Sequence, residues 1–215
     1  MLLAVDTATR MIGIAVYDGG RVLAESLWSG GRHHTISLAP EVAMMLRKVG
    51  VSAQDLSAVA VASGPGSYTG LRIGLAFTKG LALAHNLPMV GIPTLDILAH
   101  GQPRRKEPML AVIEAGRGRV AGMWYKWGRL GWRAQTEPEN LTWTKIRKEL
   151  EKKSYICGEI DDAVRKTLDD EPKVHLASPA YCVRRPSVLA ELAWEIVRKG
   201  KAVDPVGVVP FYLNA

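Results

Sequence analysis

Three consecutive stretches, Ser57-Ala58-Val59-Ala60-Val61-Ala62, Ser63-Gly64-Pro65-Gly66-Ser67-Tyr68 and Thr69-Gly70-Leu71-Arg72-Ile73-Gly74, decide the fold. The first is a short apolar run of the length of a buried strand, and the second is a loop by its glycines and proline. From Thr69 the spacing predicts a helix to about His85, ended by Asn86 and Pro88. Upstream, Val42, Met45, Leu46 and Val49 fall at helical spacing between Pro40 and Val49, with Gly50 as the stop. Further upstream, Leu2–Val5, Met11–Val16 and Val22–Leu27 read as strands, the last two joined by Asp18-Gly19-Gly20. Downstream, Met89–Ile92 is another short strand. Three strands, helix, strand, helix, strand is the order of an α/β fold, a mixed sheet with helices packed on it.

The segment Gln102-Pro103-Arg104-Arg105-Lys106-Glu107-Pro108 is charged, bounded by prolines and without apolar residues. It reads as a linker at 102–108 between an N-terminal lobe over 1–101 and a C-terminal lobe over 109–215. In the second lobe Met109–Glu114, Arg119–Trp127, Tyr155–Cys157 and Val174–Leu176 read as strands. Thr144–Lys153, Ile160–Leu168 and Ser187–Lys199 read as helices.

The 215 residues are 47% hydrophobic and 23% charged, which excludes a disordered or fibrous chain and suits one large domain or two lobes. No apolar run reaches the ~20 residues of a membrane span, and Asp6 lies too near Met1 for a secretory signal. The expected setting is cytoplasmic, without a membrane. Cys157 and Cys182 form no CxxC pattern and read as reduced thiols. Residues 1–100 hold 7 basic and 6 acidic side chains, residues 101–215 hold 21 and 15, so nearly all of the net +7 is C-terminal. That bias fits either an acidic or RNA-bearing partner or a solvated surface.

The loop at 64–70 does not have the spacing of a Walker loop, a dinucleotide fingerprint or a nucleophile elbow. Gly66, Gly70, Gly74, Thr78 and Ala82 instead form a stripe of small residues every four positions. A helical glycine costs ~1 kcal/mol relative to alanine, so the stripe calls for close approach of another backbone, either the protein's own sheet or a partner helix. Asp6-Thr7-Ala8-Thr9, with Gly13 beyond, occupies the turn between the first two strands. In sugar kinases, actins and Hsp70-type ATPases a similar turn holds metal-bound phosphate. Here Ala8 stands where a glycine would, so Asp6, Thr7 and Thr9 read as a degenerate nucleotide hairpin. Gly116-Arg117-Gly118-Arg119-Val120-Ala121 matches GxGxxA by letter, but an aromatic strand follows it and it reads as a hairpin. Trp124, Tyr125, Trp127 and Trp132 interleave with Lys126, Arg129 and Arg133, as on a single-stranded nucleic-acid platform or as on a half-buried strand. His33 and His34 lack a histidine four residues on, and His85, His100 and His175 stand alone, so no metal site is expected.

Leu3-Ala4-Val5-Asp6-Thr7-Ala8-Thr9, His34-Thr35 to Leu38-Ala39-Pro40, Gly64 to Gly74, Lys79-Gly80-Leu81-Ala82 and Pro210-Phe211-Tyr212-Leu213 together resemble the bacterial TsaB family, formerly YeaZ. The resemblance implies an actin-like or Hsp70-like two-lobed fold. It also implies a cytoplasmic, non-catalytic role without a cofactor in making threonylcarbamoyladenosine beside the tRNA anticodon. The implied partners are a TsaD-like paralogue in a heterodimer, a TsaE-like ATPase and, through the complex, tRNA; isolated, the chain could homodimerise. The expected partner surface is Gly66, Gly70, Gly74 and Thr78 with neighbouring Leu71 and Leu75, together with Val42, Met45 and Leu46 of the preceding helix. Gly116 and Asn214 stand where that family often has arginine. Three alternatives compete: an ATPase or phosphotransferase using Asp6, Thr7 and Thr9, a zinc peptidase, and a stand-alone RNA-binding module.

Overall fold

A computed structural model describes residues 1–30 and 34–213, excluding the side chains of 34–36. The expectations for His33, for the side chains of His34 and Thr35, and for Asn214 fall outside this set. The first sheet has the order β3-β2-β1-β4-β5, with β1 (Leu2–Asp6), β2 (Met11–Tyr17), β3 (Val22–Ser29), β4 (Ala58–Gly64) and β5 (Met89–Pro93). The first three strands are an antiparallel meander, and β4 and β5 add in parallel beside β1. Tight turns join antiparallel neighbours, while parallel neighbours need crossovers. Those crossovers are α1 (His34–Val49) and α2 (Tyr68–His85). The helix α1 begins six residues before the expected Pro40, which sits inside it.

Both faces of this sheet are covered, so its strands are apolar on both sides. Leu3, Val5, Ile12, Ile14, Val16, Val59 and Val61 face α1 and α2, meeting Leu38, Val42, Met45, Leu46, Leu75 and Ala82. Leu2, Ala4, Ala15, Ala58, Ala60, Val90 and Ile92 face the other way. The cover there is α6 (Pro186–Arg198), through Leu189, Ala190 and Ala193, all fully buried. Alanines on both surfaces let the helix lie close.

The second sheet repeats the plan. Its order is β11-β10-β6-β7-β8, formed by β6 (Met109–Glu114), β7 (Arg119–Gly128), β8 (Gly131–Ala134), β10 (Ser154–Gly158) and β11 (Val174–Leu176); β9 (Glu139–Thr142) pairs with β7 beyond β8. The antiparallel strands β6, β7 and β8 are followed by parallel β10 and β11. The crossover helices are α4 (Trp143–Glu149) and α5 (Asp162–Asp169). Two sheets of the same topology in one chain are the actin-like arrangement expected from the resemblance. The short helix α3 (Thr94–His100) and strands β8 and β9 were not expected: seven and four residues carry too little periodicity.

The boundaries at 101, 102–108 and 109 need correction. The compact units are Met1–Ile97 with Arg185–Tyr212, and Leu98–Arg184 with Leu213–Ala215. The first unit recovers the C-terminal segment because α6 buries its apolar face there. Glu25 of β3 accepts hydrogen bonds from Ser187 N at 3.0 Å and Ser187 Oγ at 2.6 Å, and pairs with the Arg185 guanidinium. A carboxylate thus caps the free amides at the start of α6. The chain then pairs Val203 with Met89, seats Val208 over Gly91 and donates Phe211 N to Ser63 O at 2.7 Å.

Gln102 is no linker residue but a buried polar centre of the second unit, 5% exposed. Its side-chain amide donates to Leu98 O (3.0 Å) and Tyr181 O (2.7 Å), its Oε1 accepts from Tyr155 Oη (3.0 Å), and its backbone oxygen accepts from Trp132 Nε1 (3.1 Å). A buried amide is tolerated because these bonds satisfy it. Burial pushes the Tyr155 phenol up to about 12, so it stays a donor.

Candidate partner surface and degenerate nucleotide turn

The β1–β2 turn is closed by the protein itself. Asp6 and Thr7 are 2% and 1% exposed. Asp6 Oδ1 accepts from Ala8 N at 2.9 Å, an Asx turn that fixes the loop. Thr7 Oγ1 donates to Gly70 O at 2.7 Å, and Ser67 N donates to Ala8 O at 2.7 Å. Thr9 is also buried. The first turn of α2, capped by Ser67 Oγ accepting from Gly70 N, therefore fills the space beside the turn.

The glycine stripe explains how. A β-carbon at Gly66 would overlap Ala8 O, one at Gly70 would overlap Thr7 O, and one at Gly74 would overlap Thr7 Oγ1. Thr78, fully buried, donates Oγ1 to Gly74 O at 2.7 Å. Of the two neighbours left open by the sequence, the stripe faces the protein's own sheet. Leu71, Leu75, Val42, Met45 and Leu46 are likewise buried in the first unit. All nine residues expected at a partner surface thus point inward, because the sequence pattern marks an apolar face without saying what covers it.

What α1 and α2 present to solvent is their opposite side. Ala39, Pro40 and Ala43 of α1 and Thr69, Arg72, Ala76, Gly80 and Leu83 of α2 are exposed. Between the helices lies an open groove of about 530 Å³ lined by Leu38, Ala39, Tyr68, Ile73, Ala76 and Phe77 among others. At one end Arg72 lies 3.9 Å over the Tyr68 ring and donates Nε to Tyr212 Oη at 3.3 Å, with the two tyrosine rings 5.2 Å apart. The Phe211–Tyr212 ending is in this way tied to the start of α2. A β-carbon at Gly80 would meet nothing within 4 Å. Its helix-weakening smallness is unused inside the chain, unlike that of the inward stripe.

On β7 and β8, Trp127 opposes Trp132 and Lys126 opposes Arg133, while Trp124 shares the face of Lys126 and packs against the cluster that contains Leu110 and Val120. Tyr125 and Trp132 are buried, and Trp132 meets Trp127 edge-to-face at 5.4 Å with its Nε1 already bonded. The rings pack the unit rather than forming a stacking platform. Lys126 and Arg133 lie directly opposite each other across the strands and are exposed. Gly116, Arg117 and Gly118 all have positive φ, so the GxGxxA letters form a tight hairpin, as expected. Cys157 is buried, which pushes its thiol well above the usual range, and Cys182 Sγ lies 3.3 Å from Arg165 Nη2. Among the described residues no three His, Cys, Asp or Glu side chains gather as metal ligands, and no helix is long and apolar enough to cross a membrane.

Residues 21–137 match the family model described as tRNA N6-adenosine threonylcarbamoyltransferase, TsaD. The chain is 31% identical over 221 residues to the tRNA threonylcarbamoyladenosine biosynthesis protein TsaB of Bacillus subtilis, covering 99% of this chain and 93% of that one. To the TsaB of Escherichia coli K12 it is 40% identical over 121 residues, 55% of this chain and 52% of the relative. A solved Pseudomonas aeruginosa protein described as similar to peptidase YEAZ superposes with TM-score 0.80 at 24% identity, covering 99% of each chain. The ethanolamine utilization protein EutJ of Carboxydothermus hydrogenoformans shares the fold at TM-score 0.51 and 13% identity, with 88% of each chain covered. Near-complete coverage by a relative above 30% identity, on the actin-like topology described above, places this chain in the TsaB (YeaZ) family of tRNA threonylcarbamoyladenosine biosynthesis proteins.

Proposed function

We propose that the chain is a non-catalytic subunit that joins a TsaD-like paralogue through the outward side of α1 and α2, and that the pair modifies tRNA. The observation that carries this is the unexplained small-residue stripe Ala76 and Gly80 beside the apolar groove. Small residues at a helix crossing permit short interaxial distances, near 8 Å, and contact between the flanking side chains. Both helices lie within the segment that matches the transferase family. A paralogue of the same fold would offer a similar helix pair, and the two would pack as a four-helix layer. The closed β1–β2 turn supports the non-catalytic part: Asp6 Oδ1 and Thr7 Oγ1 are engaged within the chain, and the α2 backbone stands beside them. A TsaE-like ATPase would complete the assembly.

Ala76→Glu tests the docking surface, since Ala76 is exposed and helical. The variant should keep its thermal stability, lose coelution with the TsaD-like chain in size-exclusion chromatography, and fail to restore threonylcarbamoyladenosine in depleted cells by nucleoside mass spectrometry. A folded variant that coelutes and restores the nucleoside would overturn the surface. Unchanged modification after depletion of the native protein would overturn the function itself.

A further inference from the structure

Basic residues far apart in sequence converge on one end of the second sheet. The pairing aligns His175, Tyr155, Met109, Tyr125 and Ala134 in one row across β11, β10, β6, β7 and β8. One step outward, Ser154, Lys126 and Arg133 follow, with Lys126 and Arg133 directly opposed. Beyond them the same end carries Lys173 before β11, Lys152 and Lys153 before β10, Arg104, Arg105 and Lys106 before β6, and Arg129 at the β7–β8 tip. From Leu98 to Arg184 there are 17 basic and 12 acidic side chains, and this end holds nine of the basic against six acidic, Glu107, Glu149, Glu151, Asp169, Asp170 and Glu171. It therefore carries more than half of the positive excess of its unit.

Eight of the nine cations are exposed, and Arg105 is half-buried over the Tyr155 ring at 4.8 Å. Among the described residues, ion pairs of this unit engage Lys145, Arg147, His175 and Arg184, and of the rim cations Lys173 donates Nζ to Leu150 O at 2.8 Å. Two cations placed directly across a strand pair repel and cost stability. Strands ~4.8 Å apart spread the charges over roughly 20 Å, a width that meets several phosphates at once.

We propose that this basic rim binds the sugar–phosphate backbone of the tRNA that the complex modifies. The inference rests on the function proposed above, which makes tRNA the polyanion at hand. The contact is electrostatic and sequence-independent, because long exposed cations reach phosphates while Trp132 is buried with its Nε1 already bonded. It adds affinity and orientation and no chemistry.

The test titrates a tRNA transcript with the full chain, alone and with its TsaD-like partner, by fluorescence anisotropy between about 50 and about 200 mM salt. The variant replaces Lys126, Arg129 and Arg133 with glutamine; a control replaces Lys199 and Lys201 at the end of α6. The native chain should show a steep salt dependence, and the triple variant should lower the slope by roughly two to three and weaken binding at least about tenfold at low salt. The control should match the native chain, and thermal unfolding should show all three folded. Equal affinity and slope in the triple variant, equal loss in the control, or no tRNA binding by the native chain and its complex would each overturn the proposal. Loss of coelution with the partner while tRNA binding persists would make the rim a protein contact and also overturn it. Failure of the underlying function reads out separately, as an absent partner complex with the native chain.

Discussion

Thr7 Oγ1 donates to the carbonyl oxygen of Gly70 at 2.7 Å, joining the β1–β2 turn to the first turn of α2 across 63 residues of sequence. The bond forms because Gly70 has no side chain to hold the two backbones apart. The same contact completes the packing of the turn against α2.

Gly70→Ala should therefore destabilise the chain by about 1–3 kcal/mol or more, since the neighbouring atom is backbone and cannot swing away. Gly80→Ala, with open space around it, should stabilise by roughly 0.5–1 kcal/mol. Denaturant titration of both variants checks the contrast. Equal effects of the two would refute the inward reading of the stripe.

The isolated protein should show no magnesium-dependent ATP turnover. Purified chain that hydrolysed ATP, and lost that activity on Asp6→Asn, would restore the ATPase reading.

Acid stability should depend on Glu25. Burial pushes its carboxyl up, but the hydrogen bonds from Arg185 and Ser187 outweigh that and hold it below the usual range. A depressed folded pKa contributes stability above the unfolded value of about 4.3, lost as pH falls through the folded value. Glu25→Gln should thus lower Tm at neutral pH, and the gap to the native protein should narrow below about pH 4. A gap that stays constant from neutral to acid pH would show that the carboxylate's charge contributes nothing.

Trp132→Ala should cost about 3–5 kcal/mol, because it empties a buried site and strips a donor from Gln102 O. Trp127, half-exposed, should cost less. If Trp132→Ala left the stability intact and abolished tRNA binding, the stand-alone RNA-binding reading would regain its footing.

Most strands and helices were legible because buried strands are short unbroken apolar runs, as in β6 at Met109–Glu114, and helices repeat their apolar residues at 3.6 positions, as in α6 at Pro186–Arg198. The turn at Asp6–Thr9 was legible from its turn residues, whereas the Ser67 cap of α2 emerged only in the structure. The docking face was not legible. Leu71, Leu75, Val42, Met45 and Leu46 advertise an apolar side, and a periodic pattern reads the same whether a partner or the chain's own sheet covers it.

By itself the sequence determined the elements, their order and the mixed-sheet class, since backbone preference and hydrophobic period act over a few neighbouring residues. Only the tertiary structure decided that α6 returns to the first sheet, that Gln102 is a buried hydrogen-bonding centre, and that the glycine stripe faces Thr7 and Ala8. It alone gathered Lys126, Arg133, Lys153 and Lys173 at one sheet end. Each of these depends on contacts between residues tens of positions apart, where register, burial and β-carbon clearance act together and leave no local signature in the chain.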